Sequence, residues 1–353
     1  MLTPQSKAAR HRTAEEGATY GRNARVVGDS VSIGEGTTIG EGVEIKADVV
    51  RIGRRCKVEK DVAVSWRGGR AKAFVIGDCG FIGRDSQILA KEFRAGDYAV
   101  FHNHLLANGD SGITVGNNAW FGQNTILNGN QPLTIGNNVG VGAYSAIWTH
   151  GKFGALIDGC LMHKEAPVTI EDDACLWRAV VSPGVTVGRR VTVLPGSILT
   201  RDAPSGSCFG GVPAEDLSAK VQTYRSVSIE EQFEMMRGFA ADFLSSHYEG
   251  RYTSGPGGVY HVNDSEAPFR LLLKWRLEDS DLGNEECGLY VAVEDEKTKP
   301  RPGLSVFNLS TRTYTKWFTD PEVEFMWFLN DSRARFNPTG TEVMPGRRRS
   351  ATV

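Results

Sequence analysis

No apolar run in this chain approaches the ~20 residues that a membrane-spanning helix needs. The opening stretch, with Lys7, Arg10, His11 and Arg12, lacks the apolar core of a signal peptide. Neither sign of charge dominates. Lys and Arg number 40, Asp and Glu 42, and the net charge of −2 leaves no broad basic field to hold nucleic acid. The cysteines at 56, 79, 160, 175, 208 and 287 show no CxxC spacing and no small secreted frame, which reads as reduced thiols. These absences together predict a cytoplasmic globular protein, and 353 residues can hold two domains with separate cores.

What the chain has is a beat of six. Between Val27 and Leu199 an aliphatic or aromatic residue returns every sixth position in short runs: Val27, Ile33, Ile39, Ile45; Ile52, Val58, Val64; Ile76, Ile82, Ile88; Val115, Phe121, Leu127; Ile135, Val141, Ile147; Ile170, Leu176; Val187, Val193, Leu199. Eleven of these 21 positions are followed at once by glycine, whereas 41 glycines in 353 residues would give about two or three by chance. Neither a helical face nor an alternating strand has this period. It predicts a parallel β-helix in which each hexapeptide supplies one short inward-facing strand and one tight corner. Residues 66–72 span a clean multiple of six between Val64 and Ile76, so they read as an irregular part of the coil rather than a loop. Two long excursions interrupt the repeat, from Ile88 to Val115 and from Ile147 to Ile170. Solenoids place insertions at corners, often on a binding side.

The pattern resembles the hexapeptide-repeat acyltransferases, over about residues 25–222. The most specific stretches are Ser182-Pro183-Gly184-Val185-Thr186-Val187-Gly188, Pro195-Gly196-Ser197-Ile198-Leu199-Thr200-Arg201-Asp202, and the closing Gly210-Gly211-Val212-Pro213-Ala214. Within that family it looks most like the maltose and galactoside O-acetyltransferases, in which the coil resumes with a segment like Ala166-Pro167-Val168-Thr169-Ile170. The resemblance implies a left-handed β-helix, acetyl-CoA as acyl donor, a homotrimer with its sites at the subunit seams, and O-acetylation of a carbohydrate hydroxyl. N-acetylation of an amino sugar and a scaffold without catalysis stand as alternatives.

Acyl transfer needs a base for the acceptor's proton, and imidazole, with an ordinary pKa of about 6.5, suits it. His150 closes a coil at Ile147-Trp148-Thr149-His150-Gly151, where the resemblance puts the family's catalytic histidine. Trp148 beside it would wall the pocket. Asn124, one coil earlier, falls near a family asparagine that helps hold the acceptor or steady the oxyanion, although asparagine is also common at corners for turn reasons. His102 and His104 form a His-x-His pair that with a third histidine could bind zinc, as in the γ-type carbonic anhydrases of the same fold. His150, however, has no partner five positions on, and His163 is thirteen away. No metal is therefore expected, and the pair is assigned to the acceptor pocket or to an exposed loop. For the donor, Thr200 and Arg201 match the family's Thr-Lys pair near the nucleotide end, with Trp177 and Arg178 along the same groove. The chain departs from the family at Trp177 and Leu194, where glycine is usual, at Glu215, where a basic residue is usual, and in a spacing one short between Leu176 and Val187.

The remaining segments are organised around that core. Residues 1–24 read as a polar arm with at most a helical turn around Ala14–Ala18. Residues 223–346 read as a small α+β domain: a helix with Ile229, Phe233, Met236, Ala240, Phe243 and Leu244 on one face, then strands at 259–262, 269–277, 289–293 and 304–315, then a helix capped by Asp320 with Pro321 in its first turn. Residues 347–353 read as a basic tail.

Overall fold

The computed structural model describes residues 12–14, 17–152, 154–264, 268–283, 286–295, 301–331 and 333–339. Contacts divide the chain between Thr223 and Tyr224. The tail at 347–353 and most of the expected N-terminal arm lie outside the described residues.

The first unit is a parallel β-solenoid with three faces, numbered from the strand Arg25–Val27. Arg25–Val27 opens the first face, Ser30–Ile33 the second and Thr38–Ile39 the third. The continuous strand Glu44–Ile52 bends from the first face onto the second and joins them as one 17-stranded sheet; the third face is an 11-stranded sheet. The solenoid starts earlier than the sequence suggested, because Thr19–Tyr20 already pairs in parallel with Thr38–Ile39 on the third face. Pairing register also shifts the first inward residue from Val27 to Val26, which lies opposite Ile45 and is buried.

Three inward columns make the core. The second face stacks Ile33, Ile52, Ile76, Ala95, Val115, Ile135, Ile170 and Val187. The third stacks Ile39, Val58, Ile82, Phe101, Phe121, Val141, Leu176, Val193 and Phe209. The first face runs from Val26 through Ile88, Ala107, Leu127, Ile147 and Val181 to Leu199.

These columns correct three readings. The segment from Ile88 to Val115 is not an excursion but an ordinary coil, with Glu92–Ala95, Val100–Phe101 and Leu106–Gly109 paired to both neighbours. Ala95, Phe101 and Ala107 fill slots where Ile, Val or Leu carries the beat elsewhere, and the volumes balance: Phe101 stacks at 4.8 Å on Phe121 and meets Phe93 edge-on at 5.4 Å. Residues 66–69, in contrast, are an inserted tight turn closed by an antiparallel Trp66–Gly69 bridge. Finally, the spacing one short between Leu176 and Val187 is a corner trimmed at Trp177-Arg178, with Val181 in the inward slot.

Corners between the second and third faces and between the third and first carry a residue with positive φ, glycine at Gly36, Gly42, Gly196 and Gly206 and Asn, Asp, His, Tyr, Cys or Arg elsewhere, whereas the strand Glu44–Ile52 turns between the first and second faces without one. Between the second and third faces the corners are also tied by side chains. Asp78, Asp97, Asn117, Asn137 and Asp172 each accept from a backbone amide of the preceding coil at 2.6–2.9 Å (Arg54, Asp78, Asp97, Asn117 and Asn137 donating).

The second unit has its own core. A mixed seven-stranded sheet runs in chain order from Tyr252–Gly255 to Asn337–Thr339. The stretch expected as one strand at 304–315 is two antiparallel strands, Leu304–Asn308 and Thr313–Thr315, turned at Arg312 with φ 55°. Helix α1 (Ile229–His247) buries Met236, Ala240, Phe243 and Leu244 and is capped by Ser228, which accepts from Glu231 N. Helix α2 (Asp320–Asn330) is capped by Thr319 rather than Asp320. Its Glu322 is fully buried, accepts from Ser305 Oγ and the amides of Trp317 and Phe318, and is pushed above the usual carboxylate range by burial.

Two outcomes follow. Phe101→Ala removes a ring with no room to collapse and should cost ~3–5 kcal/mol in denaturant unfolding; a loss under ~1 kcal/mol would return 89–114 to loop status. At the inserted turn, Asp110 accepts from Arg67 at 2.7 and 3.0 Å and from Trp66 Nε1 at 2.9 Å, and is held down at about 2, Arg67 first and Trp66 second. A depressed folded pKa stabilises above the unfolded value of about 4 and loses that contribution as pH falls toward 2. Carboxyl NMR titration of Asp110 should therefore have its midpoint near 2, and an ordinary midpoint would show that the clamp does not form in solution.

Candidate functional site

The expected second excursion is a β-hairpin, His150–Lys152 paired antiparallel with His163–Glu165, leaving the solenoid between the first and second faces. His150 stands at its root, half-buried. Its Nδ1 lies 2.9 Å from Oδ1 of Asn128, the residue after the inward Leu127 of the previous coil. Asn128 is itself buried and its orientation is fixed, since its Nδ2 donates to Asn108 Oδ1 at 3.1 Å while Oδ1 receives Thr149 N at 3.3 Å and lies 2.7 Å from the Thr149 hydroxyl. An amide oxygen only accepts, so His150 carries a proton on Nδ1, and in the neutral ring the lone pair is on Nε2. Trp148 meets the imidazole edge-on at 6.1 Å.

Around this pair the hairpin is pinned to the coil. Gln131 N donates to Thr149 Oγ1 at 3.0 Å and Gln131 Nε2 to Glu165 at 3.3 Å, while the Lys152 ammonium holds the Glu165 carboxyl below its ordinary range. The hairpin tip exposes Leu156, Ile157, Leu161 and Met162.

The candidate side chains fall on two edges of one chain. Trp148, His150, Thr200 and Arg201 follow inward residues of the first face and share the edge between the first and second faces. Arg201 lies over the Phe209 ring at 6.0 Å. His102, His104, Asn124, Trp177 and Arg178 line the edge between the third and first faces. There His104, Asn124 and Arg178 hold the positive-φ corner positions, at 61°, 57° and 48°. The turn alone accounts for an asparagine at 124. His102 packs between Phe81 (5.8 Å) and Trp120 (5.0 Å), and burial holds its imidazole below the ordinary value. His104 Nδ1 is 4.0 Å from Asp85. Among the described residues no three His, Cys, Asp or Glu side chains are grouped to hold a metal ion.

Asn128, the partner of His150, is one of the polar groups between the two expected excursions, and spacing alone gave it no role. Its signal was present: Asn108-Gly109 and Asn128-Gly129 repeat one coil apart, and an asparagine directly after an inward residue has no corner to serve.

No family model matches the chain. The 2,3,4,5-tetrahydropyridine-2,6-dicarboxylate N-acetyltransferase of Staphylococcus aureus (strain JH9) is 40% identical over 68 residues, 19% of this chain and 28% of that protein. The chain thus spans little more than a quarter of the length of the curated relatives it matches. Among solved structures, a hexapeptide-repeat acetyltransferase of Vibrio cholerae complexed with acetyl coenzyme A shares 20% identity, covering 52% of this chain and 69% of that one, with a TM-score of 0.23. A maltose O-acetyltransferase of Clostridium difficile shares 15%, covering 54% and 71%, with a TM-score of 0.26. Among the described residues no helix is long and apolar enough to cross a membrane.

Asn128→Ala should release the His150 ring. Long-range nitrogen–proton NMR should show the Nδ1–H tautomer dominant in the parent above pH 8 and mixed tautomers in the variant, with a stability loss of ~1–3 kcal/mol from the unpaired buried donors. Unchanged ring signals would disconnect Asn128 from the histidine.

Proposed function

We propose that the chain is an acyl-CoA-dependent acyltransferase that acetylates a carbohydrate hydroxyl. The observation that carries this reading is the orientation of His150. Asn128 binds the protonated Nδ1, so Nε2 is the nitrogen available as base at the edge where the hairpin leaves the coil. Nε2 takes the acceptor's proton as its oxygen attacks the thioester carbonyl; the C–S bond then breaks and the imidazolium returns the proton to the leaving thiolate. Thr200 and Arg201 share this edge and suit the phosphate end of a coenzyme A donor, Arg201 supplying the positive charge. No metal takes part in this scheme.

Asn124, Trp177, Arg178, His102 and His104 lie along another edge, so in this reading they meet His150 only when a second copy presents that edge. A closed ring of three copies does this with one type of contact, and supports a homotrimer with seam sites. Charge balance and the cysteine pattern support a cytoplasmic setting. N-acetylation of an amino sugar is the second reading, favoured by the N-acetyltransferase chemistry named for the curated relative; the same base serves both.

Transfer of label from acetyl-CoA to panels of hydroxyl and amine acceptors decides between them. His150→Ala should keep the fold and lower kcat by about 10²–10⁴. Turnover close to the parent's would remove the histidine from the chemistry.

A further inference from the structure

Beside the inward residues of the first face, the register of three successive coils runs Leu89, Asn108, Asn128. His150 joins this column from above, through the 2.9 Å contact of its Nδ1 with Asn128 Oδ1. The glycine after each asparagine lets the coils close on one another at this point. Gly109 has φ 148°, and a Cβ on it would fall 2.1 Å from the carbonyl carbon of Gly129. Gly129 N donates to Asn108 O at 2.6 Å, so the two Asn-Gly steps are clamped backbone to backbone.

Between these coils the Asn128 amide works at both ends. Above, the Thr149 amide, the Thr149 hydroxyl and the His150 ring converge on its oxygen. Below, its Nδ2 donates to Asn108 Oδ1 at 3.1 Å, with Asn130 Oδ1 a longer second choice at 3.4 Å. A turned amide would aim its NH2 group at the Thr149 N–H and at the imidazole N–H. Asn128 is 1% exposed, so a hydrogen that lost its acceptor there would pull on that orientation. Donation through nitrogen also polarises an amide and makes its oxygen the better acceptor. The fold itself does not ask for a polar group at 108, because Leu89 holds the same slot one coil lower.

We propose that Asn108 is a positioning residue for His150, acting through Asn128. Its side-chain oxygen takes the amide hydrogen of Asn128 and so keeps the Asn128 oxygen turned to the ring. The inference rests on the reading of His150 as the base, and it extends the machinery one coil further, to a residue whose link to the ring runs through its neighbour.

The test follows the ring and the chemistry separately in the full chain. Long-range nitrogen–proton NMR reads the His150 tautomer, and steady-state kinetics with acetyl-CoA and the acceptor that takes most label reads turnover. Asn108→Leu should give mixed tautomers and lower kcat about tenfold, with both KM values within about twofold of the parent's. Asn108→Asp, which still accepts, should keep the Nδ1–H tautomer, move that proton's resonance downfield and hold at least half of the parent's kcat. Asn108→Ala takes the place of leucine if leucine unfolds the chain, as circular dichroism would show. The inference is overturned if the apolar variant leaves the ring signals at the parent's positions, whatever happens to kcat, since Asn130 would then suffice to hold the amide. It is also overturned if Asn108→Asp scrambles the tautomer as the apolar variant does. Ring signals that respond as expected while His150→Ala turns over like the parent would keep the positioning and sink the base. Should the parent transfer to no acceptor, the ring signals decide alone.

Discussion

Every coil of the solenoid depends on a backbone that turns sharply at each corner while its strands stay one hydrogen bond from the coils above and below. The cost is met by positive-φ residues repeated at the same place: Arg55, Cys79, Tyr98, Asn118, Asn138, Asp173 and Arg190 along one edge, and Asp61, Asp85, His104, Asn124, Tyr144 and Arg178 along another. On the first of these edges the residue just before the turn, Asp97, Asn117 or Asn137, also accepts a backbone amide hydrogen from the neighbouring coil, so the turn and the stacking support each other. The inward columns then need only a residue of suitable volume in each slot.

That division of labour explains what could be read in advance. The six-residue beat is visible wherever the inward slot holds Ile, Val or Leu, and it disappears where Ala95, Phe101 and Ala107 do the same work. A large ring opposite small neighbours conserves volume but erases the pattern, so a regular coil looked like a loop. The opposite error came at Trp66, where the turn at 66–69 stretched the step from Val64 to Ile76 to twelve residues and so kept the arithmetic of the repeat while breaking its geometry. Hydrophobic periodicity reports which residues face inward; it is silent about how many residues a corner spends.

The site shows the same limit. His150 was legible because it ends a coil at a recognisable break. Asn124 and His104 attracted attention as polar groups, yet their corner conformations are sufficient to explain residues of their type. Asn128 has the opposite character: it is buried, lies outside any corner, and spends its one amide oxygen on the Thr149 amide, the Thr149 hydroxyl and the His150 ring. A polar group that the backbone does not require is the more informative one, and only pairing register separates the two kinds.

The last parallel rung of the third face, Cys208–Gly210, pairs on its far side with Glu215–Asp216 running in the opposite direction. A growing stack of identical rungs would otherwise present an open ladder of amides and carbonyls, which is the template on which foreign strands polymerise. Reversing the final strand and placing two carboxylates on it makes that end a poor seed, so the protein carries a built-in stop against fibre formation at the place where its own architecture most invites it.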